Sequence, residues 1–258
     1  MTNLESTFFN VELMPVPHPF GGQYEEYEDT KYRYVVNTDT DEVLSIVTKD
    51  YTLVKNEDLI NAITPAIKEH NGKLIEAKLF GDGARTQYKY QFQEHTVTIH
   101  GMDRLVPEIV IKNSYDGTIA VTVMAGAFRL VCSNGMVIGQ IVDYFKNRHL
   151  TDVQISKLNG IINDTIERTI KYLSEEVAQL AEIKPVKERH LLEVIQMFPD
   201  RMMERAMEYI TQHKPKDYWD LLNTATNIAT HHMNRDAEST HNLEKRFLPR
   251  VMKMAEIK

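Results

Sequence analysis

Two short polar blocks hold the residues of this sequence that are best suited to binding chemistry. The first is Asn113-Ser-Tyr-Asp-Gly117, preceded by Lys112, and the second is Arg129-Leu-Val-Cys-Ser-Asn-Gly135. Lysine and arginine bind phosphate oxygens, and an asparagine amide can bond to a base edge. If both blocks border one groove, we expect Lys112, Asn113 and Arg129 to bind a nucleic-acid strand.

The same residues also suit a purely structural role. Asparagine and aspartate bond to their own backbone in tight turns, and Gly117 can adopt a positive φ there. Arg129 lies among apolar neighbours, and an unpaired buried charge is costly. Its partner could be Asp116 in an internal ion pair, so the sequence leaves both interpretations open.

Further cations lie on a β-like stretch and near a helix start. Lys89 alternates with the aromatic residues Tyr88, Tyr90 and Phe92, which predicts that the lysine and the rings project from opposite faces. Base stacking would require the aromatic face to be open, whereas a core would require it to be covered. Lys146 and Arg148, with His149, form a basic cluster suited either to phosphate at a helix N-terminus or to solvent.

Residues for catalysis or metal binding are not grouped convincingly. Cys132 lies in an apolar run, which indicates a buried, inert thiol. His231 and His232 are adjacent, so on a helix they point about 100° apart and make a poor chelating pair. There is no glycine-rich phosphate loop and no nucleophile elbow. We therefore predict no catalytic residue, no metal and no cofactor.

Composition restricts the function classes. The net charge is −7, which counts against a general nucleic-acid binder and requires any basic groove to be local. No apolar run is long enough to span a membrane, and the first residues do not resemble a secretion signal. One cysteine suits a reducing compartment. We expect a cytoplasmic protein that does not enter a membrane.

The first half of the chain has β periodicity around one helix. Tyr32–Val36 with Val43–Thr48, and Lys73–Phe80 with Arg85–Gln93, are each predicted to form a hairpin. Pro107–Asn113 and Thr118–Val123 are predicted to form further strands. A helix is expected over about residues 56–70, with Asn56 as N-cap and Gly72 as a left-handed stop.

The second half has helical periodicity. Apolar residues spaced by three and four from Leu158 to Leu180 predict one long amphipathic helix over about residues 151–182. Shorter helices are expected at about 187–197, 200–212, 217–233 and 238–255. The apolar seam of the long helix could be internal or could be a subunit contact.

The predicted fold class is therefore α+β. An N-terminal antiparallel sheet with a packed helix precedes the long helix and an all-helical C-terminal region. We divide the chain into an extended arm at 1–30, a sheet domain at 31–145 and a helical region at 146–258. The proline-rich arm is expected to lie on its own domain or to exchange with a neighbouring subunit.

Four segments together resemble a known family. Lys49-Asp-Tyr51, Asn113-Ser-Tyr-Asp-Gly117, Arg129-Leu-Val-Cys-Ser-Asn-Gly135 and Tyr218-Trp-Asp-Leu-Leu-Asn-Thr-Ala-Thr226 resemble, in this order, the phage- and plasmid-encoded family labelled domain of unknown function 932. The resemblance covers roughly residues 40–235 and implies a mobile-element protein of the bacterial cytoplasm. Where members of the family often carry histidine in the second of these segments, this chain has Tyr115. The order of elements is also similar to that of strand-annealing recombination proteins, which is a likeness at fold level only.

The leading hypothesis is a non-enzymatic, homo-oligomeric, phage-type protein that binds single-stranded nucleic acid and promotes annealing or recombination. Its predicted contacts are Lys89, Lys112, Asn113, Arg129, Lys146 and Arg148. The main alternative is a host-takeover or anti-defence module that binds protein and not nucleic acid, which the acidic balance favours. A metal-dependent nuclease ranks last, because no carboxylate cluster has suitable spacing.

Overall fold

The structure is a computed structural model that describes residues 4–16, 31–101, 103–129, 145–147, 149, 155–232 and 237–257. Over these residues it is an α+β fold with two antiparallel sheets and six α-helices, as the fold class predicted. The chain divides into two compact units. Unit 1 combines residues 1–91, 109–124 and 144–164, and unit 2 combines 92–108, 125–143 and 165–258.

A three-stranded sheet in unit 1 begins within the predicted arm. Its strands are β1 (Val11–Pro15), β2 (Tyr32–Asn37) and β3 (Glu42–Thr48), in the order β1-β2-β3 with antiparallel pairing. The proline-containing strand β1 is at one edge, where a missing amide donor is tolerated. The opposite edge is β3. Val11, Val35 and Val47 from the sheet pack with Tyr51 and Tyr115 in a small core.

The larger sheet has six strands. They are β4 (Lys73–Phe80), β5 (Arg85–Gln91), β6 (Val97–Ile99), β7 (Asp103–Ser114), β8 (Val121–Arg129) and β9 (Phe145–Asn147). The order is β4-β5-β7-β8-β9, and β6 pairs with β7. Tyr88, Tyr90 and the following Phe92 are buried, which confirms that these rings belong to the core. They are therefore closed to stacked bases.

The helix α1 (Asn56–Glu69) begins and ends close to its predicted bounds, but two details of the prediction were wrong. Lys55 is the N-cap and makes no side-chain cap bond, because an ammonium cannot accept from the helix amides. The Asn56 side chain is buried and bonds elsewhere. The left-handed residue after the helix is Asn71, with φ 53°, and not Gly72. Asparagine tolerates this conformation better than most residues.

Unit 2 contains the C-terminal helices α3 (Glu188–Ile195), α4 (Asp200–His213), α5 (Tyr218–His231) and α6 (Ala237–Met254). The predicted segments match these bounds closely. Trp219, Leu222 and Phe247 are fully buried members of its core. The Asp217 side chain caps α5 by accepting a bond from the Asp220 amide at 2.9 Å.

The single long helix expected at 151–182 is not what the structure has over the described residues. The α-helix α2 covers Ile155–Lys171, and a π-helical turn (Tyr172–Glu176) and a 3₁₀ turn (Val177–Ala181) follow it. Leu158, Leu173 and Leu180 on the apolar seam are fully buried. The seam is therefore internal to the chain and not a surface left for another subunit. In the described part of the chain, no helix combines the length and apolarity that crossing a membrane requires.

Candidate functional site

One concavity of unit 1 lies beside β3, which is an edge strand of the three-stranded sheet among the described residues. It is a pocket of about 480 Å³, which we call the edge pocket. Its walls are formed by three consecutive β3 residues, by the turn after β7 and by separate aromatic residues: Tyr32, Ile46, Val47, Thr48, Tyr51, Asp116, Gly117, Thr118, Ala120 and His149.

Two of the four segments that carry the family resemblance meet in the edge pocket. The first supplies Tyr51, and the second supplies Asp116 and Gly117. The Tyr51 hydroxyl donates to the Ser114 carbonyl at 2.7 Å, which joins the two segments inside the core. Gly117 has φ +69°, a conformation that favours glycine, so its place in the turn follows from backbone geometry.

Asp116 is the ionised group of the edge pocket. Thr118 donates to its Oδ1 from the backbone amide at 2.9 Å and from the hydroxyl at 2.6 Å, while the Arg85 Nε donates to Oδ2 at 2.7 Å. Burial by itself raises the pKa of this carboxyl, but the bonds from Thr118 and Arg85 outweigh it and hold the pKa below the usual range. Asp116 is therefore a carboxylate at neutral pH.

His149 lies on the other side of the edge pocket and is 4% exposed. Its ring stacks on Tyr51 with centroids 4.8 Å apart, and its Nδ1 lies 3.0 Å from the Thr52 carbonyl. Because a carbonyl can only accept, Nδ1 carries the proton. Nε2 is buried with no well-formed hydrogen bond to any described residue. Burial lowers the pKa of His149, although the carbonyls of Thr52 and Ile119 and the charge of Asp116 oppose this shift, so the ring is neutral near pH 7.

Four exposed residues in or next to the pocket-lining parts of β2 and β3 are called the rim: Lys31, Tyr32, Ile46 and Lys49. Tyr32 is 53% exposed and Ile46 is 58% exposed. Lys31 and Lys49 flank the wall residues Tyr32 and Thr48, and the Lys49 amide donates to the Lys31 carbonyl at 3.0 Å. Both lysines are exposed, and neither forms an ion pair with a described residue. The rim therefore combines one exposed aromatic residue with two exposed cations that lie next to it along the paired strands.

Asn113 does not have the surface position that a base contact requires. It is 0% exposed, and its Nδ2 donates to the Val54 carbonyl and to Asn56 Oδ1, both at 2.9 Å. Thr86 donates to the same Asn56 oxygen at 3.0 Å. The buried Asn113 side chain thus takes part in a hydrogen-bond network that links β7, β5 and the start of α1.

Lys89 and Lys112 are partly exposed and alternate with buried residues on β5 and β7. Lys89 is paired in register with Glu76, whose carboxylate also binds Lys78 at 2.6 Å. Lys89 therefore faces an acid that it shares with Lys78.

The other predicted contacts lie mostly beyond the side chains that are described. Arg129 ends β8, and Lys146 lies in β9 in register with Thr122, but only their backbone is described. Arg148 and Cys132 lie outside the described residues. Asp116, which the sequence offered as an ion-pair partner for Arg129, binds Arg85. His149 is buried in the edge pocket and does not form part of an exposed basic cluster.

The sequence did not reveal the role of Tyr32, Ile46 or His149. Tyr51 was the available signal, because it belongs to one of the recognised segments. Arg85 was predicted only as the start of a strand, because its pairing with Asp116 depends on β5 and the turn after β7 coming together in space.

A second group of titratable side chains lies in unit 2. Ligand-type atoms of His100, Asp217 and Asp220 lie within 4.8 Å of one another, which would suit a divalent cation in principle. Local contacts already account for this group, because Asp217 caps α5 and accepts from His100 at 3.1 Å. The Lys184 ammonium lies 3.8 Å from the same carboxylate and offsets its charge. We assign this group to the stability of the helix start.

Comparison with known proteins identifies similarity at family level. Residues 43–248 match the family described as "Domain of unknown function (DUF932)". Two curated proteins of Escherichia coli (strain K12), "UPF0380 protein YfjQ" and "UPF0380 protein YafZ", are each 40% identical over 55 residues. That stretch is 21% of this chain and 20% of each relative, so the chain spans only about a fifth of the curated relatives' length. No solved structure matches the chain.

Proposed function

This chain belongs to the DUF932 family, whose description assigns no activity, and we propose that it is a non-enzymatic protein that binds single-stranded nucleic acid along the edge pocket. The observation that carries the proposal is the rim, where exposed Lys31 directly precedes exposed Tyr32 and exposed Lys49 follows Thr48, the cross-strand partner of Tyr32. Proteins that bind single strands combine aromatic faces for the bases with cations for the backbone.

Each part of the rim has one role in the proposal. A base stacks on Tyr32 and against the apolar Ile46, and the pocket volume of about 480 Å³ is ample for one base. The adjacent phosphates bind Lys31 and Lys49, which are not engaged by acids in the described residues. Lys112 and Arg129 remain proposed phosphate contacts farther along the strand, together with Lys89, Lys146 and Arg148, whereas buried Asn113 is removed from the set.

The overall charge of −7 limits the affinity that one binding site can have for nucleic acid. Two phosphate contacts give weak binding, and an acidic body opposes a polyanion over the rest of its surface. Several subunits that bind one strand would add their contacts by multivalency. We therefore propose a homo-oligomer that acts in strand annealing or recombination for a phage or other mobile element in the host cytoplasm.

Fluorescence anisotropy with a labelled single-stranded oligonucleotide tests the proposal. Tyr32→Ala is expected to weaken binding by roughly 5- to 150-fold, which corresponds to about 1–3 kcal/mol per stacked base. Phe80→Ala is the matched control, because Phe80 is 46% exposed on β4 and lies outside the edge pocket. No binding by the wild-type chain at low salt, or an equal loss in both variants, would refute this function.

A protein-binding role is the second candidate, and the position of β3 at the edge of its sheet among the described residues favours it. An exposed edge strand presents backbone groups to which an extended peptide can add as a further strand. Exposed Ile46 and the Asp116 carboxylate in the edge pocket suit a peptide with apolar and basic residues. Binding of such a peptide without any binding of oligonucleotides would favour this candidate over the first.

A further inference from the structure

The edge pocket contains a negatively charged hydrogen-bond acceptor, which repels phosphate. Asp116 lines the pocket with a side chain that is 12% exposed and is ionised at neutral pH. Two negative groups at close range repel each other, so the pocket interior excludes a phosphate. Only a hydrogen-bond donor can approach Asp116 favourably.

The hydrogen bonds that Asp116 accepts from the described residues leave one acceptor position. A carboxylate offers about four lone-pair sites. Thr118 fills two of them and Arg85 fills a third, and no other described residue donates to this carboxylate. The next two residues, Gly117 and Thr118, are exposed, so a ligand in the edge pocket can reach the turn.

We propose that Asp116 makes the edge pocket select a nucleobase with an exocyclic amino group, and that it prefers cytosine to uracil or thymine. The preference rests on the proposed function, because it concerns the base that enters the same pocket. The cytosine N4 amino group donates to a carboxylate, whereas thymine and uracil present a carbonyl oxygen at the equivalent position. The only ring donor of uracil, N3–H, lies between two carbonyl oxygens that a carboxylate repels.

The ion pair with Arg85 fixes this selectivity. The Arg85 Nε holds Oδ2 at 2.7 Å, and Thr118 holds Oδ1, so the carboxylate cannot rotate freely to find other partners. The acceptor is therefore preorganised, and a ligand bond to it does not require a side chain to be ordered first. One charge-assisted hydrogen bond is worth roughly tenfold or more in affinity.

The test compares oligo-dC with oligo-dU of equal length by anisotropy at one salt concentration. These two pyrimidines are similar in size and differ at position 4 and in the protonation of N3. We expect the wild-type chain to bind oligo-dC about tenfold more tightly, as one charged hydrogen bond predicts. Asp116→Asn replaces an acceptor by an amide that also donates, so the dC:dU ratio should fall to about one or below.

A second variant keeps the test decisive if Asp116→Asn does not fold. Arg85→Gln keeps the Asp116 acceptor but removes the ion pair that fixes Oδ2, so the acceptor loses its preorganisation and the dC:dU ratio should fall. Equal binding of both oligonucleotides by the wild-type chain would overturn the base preference and leave the proposed function intact. Binding of neither oligonucleotide would refute the proposed function itself.

Discussion

Asn113 is a buried polar residue that links distant parts of unit 1. It is 0% exposed, and its side chain donates to the Val54 carbonyl and to Asn56 in the interior. These partners lie 59 and 57 residues away in the sequence. A buried carbonyl that loses its donor is costly, so the Asn113 amide contributes to the stability of the fold.

Removing the Asn113 amide should destabilise the fold. Asn113→Ala leaves the buried Val54 carbonyl without this donor, so we expect a loss of about 1–3 kcal/mol in the free energy of unfolding. Urea denaturation monitored by circular dichroism measures it. Asn61→Ala, at an exposed position of α1, is the control and should change stability by less than about 0.5 kcal/mol. Equal midpoints for the two variants would contradict the buried role.

The buried ring of His149 predicts a pH dependence. Its pKa is lowered in the folded chain, so the unfolded chain binds the proton more readily. The stabilisation is complete above the unfolded pKa of about 6.5 and is lost progressively as the pH falls below that value. His190 and His232 also have lowered pKa values, mainly through burial, and contribute in the same direction.

His149→Phe separates the contribution of His149 from the contributions of the other two histidines. The variant keeps an aromatic ring against Tyr51 but cannot be protonated, so its stability should fall less than that of the wild type between about pH 7.5 and about pH 5.5. Thermal unfolding at a series of pH values measures the difference. An identical pH dependence in both proteins would show that His149 does not titrate in this range.

At the scale of elements, periodicity predicted most helices and strands, and the failures have identifiable causes. The alternation of buried rings in β5 and the apolar stripes of α1 and α3 to α5 are local patterns that tertiary packing reinforces. The π-helical and 3₁₀ turns after Lys171 keep the apolar seam buried, so hydrophobic spacing alone did not distinguish them from an α-helix. The pairing of β1 with β2 joins residues that are far apart in the sequence, so local periodicity does not reveal it.

Two glycines in different elements should respond oppositely to the same substitution. Gly83 in the turn between β4 and β5 has φ +91°, so Gly83→Ala should destabilise the hairpin by roughly 1–2 kcal/mol. Gly160 lies inside α2 with nothing within 4 Å of an added Cβ, so Gly160→Ala should stabilise by roughly 0.5–1 kcal/mol. Denaturant midpoints of the two variants test this difference in sign. A shift in the same direction for both would refute it.

For the whole molecule, the positions of the charged residues matter more for the proposed nucleic-acid binding than the net charge does. Several described cations of unit 1 face acids, as Lys78 does with Glu76 and Arg85 with Asp116. Lys31 and Lys49 at the edge pocket do not, and the sequence could not identify them because pairing is decided in three dimensions. The two units each combine three separate stretches of chain, which composition along the sequence cannot show.

The most direct test of the account is the salt dependence of binding to a single-stranded oligonucleotide, measured between about 50 mM and about 200 mM salt. Each phosphate contact on a single strand contributes a slope of about −0.7, so the double variant Lys31→Ala/Lys49→Ala should bind more weakly and reduce the magnitude of the slope by about 1.4. Lys68→Ala/Lys73→Ala removes the same charge from exposed positions outside the edge pocket and should leave the slope unchanged. Equal slopes for both double variants would contradict the account, because the rim lysines would then not bind the strand.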